Sequence, residues 1–227
     1  MIKARKKLIE VSLPLEAINI AASREQSIRY GHPSTLHLWW ARRPLAACRA
    51  ILFAQIVDDP GSWPEYFESQ AEIDAERKRL HKIMQSLVPW EATGSPSLFQ
   101  QARWEIANSI ARRNGENPPN RDDEVAVTNY IKLNAPPVID PFSGGGSISI
   151  EAQRLGLRAI GSDLNPVAVL IGKALVEIPP KFAGQPPVNP SAQQSILGLG
   201  GWNGSRSDGL IDDIRHWTNP LRGSWLT

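Results

Sequence analysis

Two aspartates and a run of glycines carry the clearest chemical signal in the sequence. Asp140 ends the apolar run VID, the string PFSGGGS follows it, and Asp163 ends a second short run, AIGSD. A carboxylate at the C-terminal end of a strand lies where open α/β folds bind ligands. Consecutive glycines let the backbone approach a ligand closely, because no Cβ intervenes. The helix expected from Ser147 points its free N–H groups at the same place.

The spacing of the two acids indicates a ligand that contains a nucleoside. Asp163 lies 23 residues after Asp140, the separation expected for an acid that binds ribose hydroxyls at the end of the next strand. Residues 147–151 read SISIE, so the dinucleotide pattern G-x-G-x-x-G is absent, and the sequence has no P-loop pattern. A carboxylate would repel a pyrophosphate but suits a ligand with an amino and a sulfonium group. We therefore predict S-adenosylmethionine as the cofactor.

The elements around this loop predict an α/β fold. The strings APPVIDPF and RAIGSD indicate strands, ISIEAQRL indicates a helix between them, and Asn165 and Pro166 are typical of a helix start. This order favours a Rossmann-like, doubly wound parallel sheet, of which the chain would hold a part. Two strands cannot complete such a sheet. We expect the others to come from a partner chain or, preferably, from a C-terminal half beyond Thr227.

Helical patterns precede the loop, and they divide the chain into four parts. The sequence predicts a broken helix over 6–29, a buried helix from Pro44 to about Val57, an exposed amphipathic insertion helix over 72–88, and a helix over 98–113 ending at Gly115. The four parts are a helical N-terminal region (1–60), an insertion and linker (61–135), the cofactor-binding segment (136–182) and an irregular, Gly/Pro/Ser-rich tail (183–227).

The composition is that of a globular chain. Hydrophobic residues make up 41% and charged residues 21% of the 227 residues, and no run of about 18 apolar residues predicts a membrane span. The single cysteine, Cys48, and the lack of an apolar signal segment favour a cytoplasmic protein. His32 and His37 have no companion cysteine or acidic cluster, so we predict neither a metal site nor a membrane partner.

Positive charge is concentrated near the N-terminus. Residues 1–49 contain nine Lys or Arg against three acids, which is typical of either a solvated face or a phosphate-binding surface. Arg42 and Arg43 are the candidates for contacts with nucleic-acid phosphates, and a salt-bridged surface role is the alternative. Trp39 and Trp40 lie just before Arg42, separated from it by Ala41, and could stack on a base, although the leucines around them favour packing.

Several long strings resemble known methyltransferases. DPFSGGGS with SDLNP is similar to the cofactor loop of class I S-adenosylmethionine-dependent DNA amino-methyltransferases. More closely, KKLIEVSLPLEAIN, GHPSTLHLWWARRPLAACRAILFAQIVDDP and the string from DPFSGGGS to PPVNP resemble the DUF1156 family of large adenine-specific DNA methylases. The resemblance covers residues 5–60 and 98–190.

The resemblance implies a set of cofactor contacts. It assigns Asp163 to the ribose and places Asn165 at the start of the helix beside the adenine. His32 lies in a segment that contributes to the cofactor pocket in such enzymes, and a turn or capping role is the alternative. The loop around the methionine part of the cofactor comprises Asp140, Pro141, Phe142, Gly144, Gly145 and Gly146.

The same resemblance implies methyl transfer to an amino group of a DNA base, with adenine N6 favoured. Such enzymes use a (D/N)-P-P-(Y/F/W) motif, whose aromatic residue stacks on a flipped base. Residues 117–120 read NPPN and lack the aromatic residue, so we interpret them as a loop and assign no catalytic residue. We predict the cofactor-binding part of a DNA methyltransferase, inactive alone. The alternatives are a non-catalytic module that binds nucleic acid or a partner through residues 1–60, and a methyltransferase acting on RNA or protein.

Overall fold

Helices make up most of the structure, a computed structural model that describes residues 5–37, 39, 42–192 and 207–224. The chain divides after Ile171 into two compact units. The helices of the first unit are α1 (Leu15–Glu25), α2 (Leu45–Ile56), α3 (Gln70–Leu87), α4 (Pro96–Asn114), α5 (Glu124–Asn134), α6 (Ser147–Arg154) and α7 (Pro166–Gly172), which runs one residue into the second unit. No helix among the described residues is long and apolar enough to cross a membrane.

The sheet consists of β1 (Val138–Asp140) and β2 (Ala159–Gly161), which pair in parallel with Asp140 opposite Gly161. The predicted Rossmann-like, doubly wound α/β sheet is wrong, because the described residues form only these two strands within a mostly helical fold. The strand–helix–strand order in the sequence accounts for β1 and β2 but for no further strands. The other apolar runs, such as α2, have the length of helices rather than of strands.

The hydrophobic core of the first unit lies between α2, α3, α4 and α5. Its largest fully buried apolar side chains include Phe53, Met84, Leu87, Ile106 and Ile131. α3 begins at a capping box formed by Ser69 and Glu72. The predicted amphipathic helix over 72–88 corresponds to α3, which buries four apolar side chains against this core: Leu80, Ile83, Met84 and Leu87.

A buried ion pair joins α2 to α6, the helix that follows the glycine loop. The guanidinium of Arg49 donates from Nε to Glu151 Oε2 at 2.5 Å and from Nη2 to Oε1 at 3.0 Å. Both side chains are completely buried. Arg49 also donates to the carbonyl of Leu87 at the end of α3. Arg49 therefore fixes α6 behind the loop. It is one of the basic residues near the N-terminus, but because it is buried it adds nothing to a basic surface.

The second unit contains a π-helical turn (Lys173–Glu177), α8 (Ile178–Lys181) and α9 (Asp208–Ser224). The helix α9 occupies positions for which the sequence predicts irregular structure. Its Asp213 carboxylate accepts hydrogen bonds from the backbone N–H groups of Val188 and Asn189, at 2.9 and 2.8 Å. These bonds hold the turn at 188–189 against α9.

Candidate functional site

The ends of the two strands form the base of the candidate site. The Asp140 carboxylate is buried and accepts a hydrogen bond from the Phe142 N–H at 3.2 Å. The backbone continues the strand pairing beyond β1, since Ser162 N–H donates to the Asp140 carbonyl and Ser143 N–H donates to the Ser162 carbonyl, each at 2.9 Å. The glycine loop is therefore tied to the segment after β2.

Asp163 connects this segment to the glycine loop through its side chain. Its Oδ2 accepts the N–H of Gly144 at 2.8 Å, and its Oδ1 accepts the N–H of Asn165 at 2.9 Å. The hydrogen bond from Asn165, and to a smaller extent that from Gly144, lowers the pKa of the Asp163 carboxyl below its ordinary value. The group is therefore ionised at neutral pH. Each oxygen keeps a further lone pair that can accept a ligand hydroxyl.

Two glycines of the loop adopt backbone conformations that side chains disfavour. The φ angles are 47° at Gly144 and 73° at Gly146, which is the N-cap of α6. The N–H of Gly146 donates to the carbonyl of Ser143 at 2.7 Å. This tight turn brings the first turn of α6 directly behind the loop. Asp140, Gly144 and Asp163 thus lie at the same end of the sheet.

Trp39 makes the close approach to the loop that the glycines permit. A Cβ placed on Gly144 would lie 2.5 Å from Trp39 Nε1, and one on Gly145 would lie 3.6 Å from Trp39 Cβ. The sequence favours packing for Trp39 but gives no sign that its partner is the glycine loop. Trp40, the other candidate for base stacking, lies outside the described residues.

The remaining predicted loop contacts are exposed. Pro141 is exposed, and the Phe142 ring has 80% of its surface open. Asn165 has a local role, because its Oδ1 accepts the N–H of Val167 at 2.9 Å and so caps the start of α7. The string at 117–120 lies between α4 and α5, where the carbonyl of Pro119 accepts from Trp104 Nε1 at 3.3 Å.

His32 is buried at the junction of α1 and α2. Its ring lies 4.5 Å from that of Trp90, and its Nε2 lies 3.8 Å from Glu25 Oε2. Burial and then the nearby charge of Arg42 lower the pKa of His32 to about 4, so the ring is neutral at pH 7. Glu25 accepts the N–H groups of Leu45 and Ala46, at 2.8 and 2.9 Å, and thereby caps α2.

A pocket lies between the segment after His32 and the glycine loop. We call it the arginine pocket, and its walls include His32, Trp39, Arg42, Arg43, Gly145 and Ser147. It brings together four residues that the sequence nominates separately, namely His32, Gly145, Arg42 and Arg43. His37 and Ile171 also line it. No sequence signal nominates Ile171, since its neighbours read as an ordinary buried helix.

The described part of the chain contains neither a cluster of metal ligands nor an exposed thiol. No group of three or more His, Cys, Asp or Glu within it could hold a metal ion. Cys48 is buried, and this burial, with the nearby Glu151 and Glu25, raises the pKa of its thiol to about 12. The thiol therefore stays protonated and is a poor nucleophile.

The fold and site define a helical protein with one parallel strand–helix–strand unit, whose glycine turn lies between two aspartates. Residues 12–83 match the family model DUF1156, described as a protein of unknown function. The match spans α1, α2 and most of α3, and it supports the DUF1156 resemblance over that part of the chain. Comparison with curated proteins and with solved structures gave no match.

Proposed function

We propose that this chain is the cofactor-binding part of a DNA amino-methyltransferase that uses S-adenosylmethionine. The observation that carries the proposal is the bond from Gly144 N–H to Asp163, which holds an ionised carboxylate against the glycine turn that follows Asp140. The sequence independently favours a positively charged nucleoside ligand for such a pair of acids. The resemblance to DNA amino-methyltransferases adds the reaction and the DNA substrate.

Each element of the loop has a defined part in this proposal. S-adenosylmethionine would supply its sulfonium methyl group as the group that is transferred. Asp163 accepts hydrogen bonds from the ribose hydroxyls with the lone pairs that Gly144 and Asn165 leave open. Asp140 stabilises the positive charge of the amino-acid end. The exposed ring of Phe142 provides an apolar surface beside the loop.

No residue of the chain is given a catalytic role. The only string that approaches the expected motif, NPPN at 117–120, lies in the connection between α4 and α5, and one of its carbonyls is bonded to Trp104. A base amino group needs acceptors and an aromatic platform beside the methyl donor. We therefore expect cofactor binding without turnover from this chain alone.

Calorimetric titration with S-adenosylmethionine tests the proposal. We expect binding to the wild-type chain, at least tenfold weaker binding to the Asp163→Ala variant, and weaker binding of S-adenosylhomocysteine, which lacks the sulfonium charge. The Asp122→Ala variant changes an exposed acid outside the site and should bind as the wild type does. Circular dichroism melting checks that each variant is folded.

Two results would contradict the proposal. One is equal affinity of the wild-type and Asp163→Ala chains for S-adenosylmethionine, and the other is no detectable binding at millimolar ligand. DNA binding without any cofactor binding would instead favour the non-catalytic module. Methylation of plasmid DNA by this chain would contradict the expectation that it is inactive alone.

A further inference from the structure

Ion pairing separates two arginines from most of the others in the first unit. Arg112 and Arg121 lie over aromatic rings. Arg42 and Arg43, like Arg29 and Arg158, have neither an ion pair nor an aromatic partner among the residues that the structure describes, and of these four Arg42 and Arg43 are the two that line the arginine pocket. The arginines that form ion pairs are Arg5, Arg24, Arg49, Arg77, Arg79, Arg103, Arg113 and Arg154.

Both of these arginines line the arginine pocket. Two acids near His32, Glu25 and Glu151, already have partners. The Glu25 carboxylate accepts two backbone N–H groups, and Glu151 is paired with Arg49 and Arg154. The two guanidinium groups therefore line the pocket without an ion-pair partner within 4 Å among the described residues, although Asp163 lies on the adjoining loop, bonded to Gly144. Such a site attracts an anion.

The side chains that line the pocket have the chemistry to bind a phosphate group. Guanidinium groups donate paired hydrogen bonds that match the spacing of phosphate oxygens. Ser147, the first residue of α6, also lines the pocket; its hydroxyl can act as a further donor, and it lies at the positive end of the helix. His32 is neutral at pH 7, so the arginines carry the charge of the site.

We propose that the arginine pocket binds one phosphate of a DNA backbone. The inference deepens the proposed function and rests on it for the choice of DNA as the partner. Gly145 belongs both to this pocket and to the proposed cofactor loop, so a phosphate bound here would lie next to that loop. The contact positions the substrate and reads no sequence, because phosphate oxygens are the same at every base.

Fluorescence anisotropy of a short labelled DNA duplex, measured over a range of salt concentrations without cofactor, tests this proposal. Loss of one phosphate contact lowers the slope of log affinity against log salt by about 0.9. We expect this decrease, and roughly tenfold weaker binding at about 0.1 M salt, for the Arg42→Gln/Arg43→Gln variant. The Arg42→Lys/Arg43→Lys variant keeps both charges and should retain most of the slope.

The matched control is the Lys78→Gln/Arg215→Gln variant, which removes two exposed charges elsewhere. It should keep the wild-type slope. Equal slopes for the Gln variants of the pocket and of the control would overturn the proposal. Tight binding of inorganic phosphate or a mononucleotide to the pocket, with no effect on DNA affinity, would also overturn the proposal, because the ligand of the pocket would then be a free phosphate. Stronger binding to RNA than to DNA would overturn the choice of partner.

The two proposals can fail separately. Cofactor binding is measured by calorimetry on the Asp163 variant in the absence of DNA. DNA binding is measured on the arginine variants in the absence of cofactor. If the chain binds DNA through the arginines but binds no cofactor, it is a nucleic-acid-binding chain. If it binds the cofactor but the arginine variants bind DNA unchanged, it is a cofactor-binding chain without this phosphate contact.

Discussion

At the scale of single residues, burial determines the protonation state of His32. Its pKa of about 4 lies below the ordinary value of 6.5. Between these two pH values, the unfolded chain therefore binds a proton at His32 more readily than the folded chain does. Stability from His32 is therefore complete above pH 6.5 and is lost as the pH falls toward 4. Burial raises the pKa of Glu25 in the folded chain, and this has the opposite effect on stability. The stability that Glu25 contributes is lost as the pH rises through its folded pKa.

The His32→Gln variant tests this linkage. Between pH 7.5 and pH 4.5, we expect the wild-type chain to lose about 2 kcal/mol more of its free energy of unfolding than the variant does. Urea denaturation at the two pH values gives the difference. Equal losses in the two proteins would mean that His32 is protonated in the folded state at pH 4.5.

The contact between Gly144 and Trp39 gives a second prediction at this scale. The Gly144→Ala variant places a methyl group against the indole at a residue with φ of 47°. We expect a loss of about 2–4 kcal/mol of unfolding free energy. Gly115 has φ of 71°, but a Cβ placed on it would have nothing within 4 Å, so the control Gly115→Ala should cost about 1 kcal/mol. Urea denaturation compares the two, and equal costs would contradict the packing of Trp39 on the loop.

At the scale of elements, the buried pair of Arg49 and Glu151 holds α6, and with it the glycine loop, against α2. The Arg49→Met variant leaves Glu151 buried with only Arg154 as a partner. We expect it to lose about 3–5 kcal/mol of unfolding free energy, whereas Arg49→Met/Glu151→Leu recovers most of this loss. Urea denaturation measures both changes.

An exposed ion pair supplies the control for this comparison. Arg24 and Glu91 lie 2.8 Å apart with side chains that are 69% and 58% exposed. The Arg24→Met variant should change the unfolding free energy by less than about 1 kcal/mol. A loss from Arg49→Met as small as this would show that α6 does not depend on the buried pair.

Local signals in the sequence predict several elements but not their contacts. The β-branched runs indicate β1 and β2, and Gly115, in the left-handed conformation, ends α4 as its position predicts. The helices α5 and α9 are not among the predicted elements, although Asp123 caps α5 and Leu210, Ile214 and Trp217 of α9 recur at helical spacing. The Arg49–Glu151 pair joins residues 102 positions apart, and Trp39 meets Gly144 across a similar separation. Contacts of this kind depend on the tertiary fold, which composition and periodicity do not specify.

At the scale of the whole molecule, the sheet presents an uncovered apolar face. Ile139 and Ile160 are paired across β1 and β2, and their side chains are 67% and 56% exposed. All three residues of β2 are exposed, and so is Ile139 of β1. A strand of a doubly wound sheet is buried on both faces, which these two strands are not in the described structure.

The exposure of this face predicts a difference between two isoleucines. The Ile160→Thr variant should change the unfolding free energy by less than about 0.5 kcal/mol. Ile131 is completely buried in the core, so Ile131→Thr should cost about 2–4 kcal/mol. Urea denaturation of both variants makes the comparison. A similar cost at the two positions would show that another surface covers the sheet in solution.

The most direct test of the central claim is to find where S-adenosylmethionine attaches to the chain. Ultraviolet irradiation of the wild-type chain with cofactor carrying a radioactive methyl group, followed by peptide mapping, locates the contact. We expect the label on peptides containing residues 140–165, and its loss when unlabelled S-adenosylmethionine competes. Label confined to other peptides, or labelling that unlabelled cofactor does not reduce, would contradict a methyl-donor site between Asp140 and Asp163.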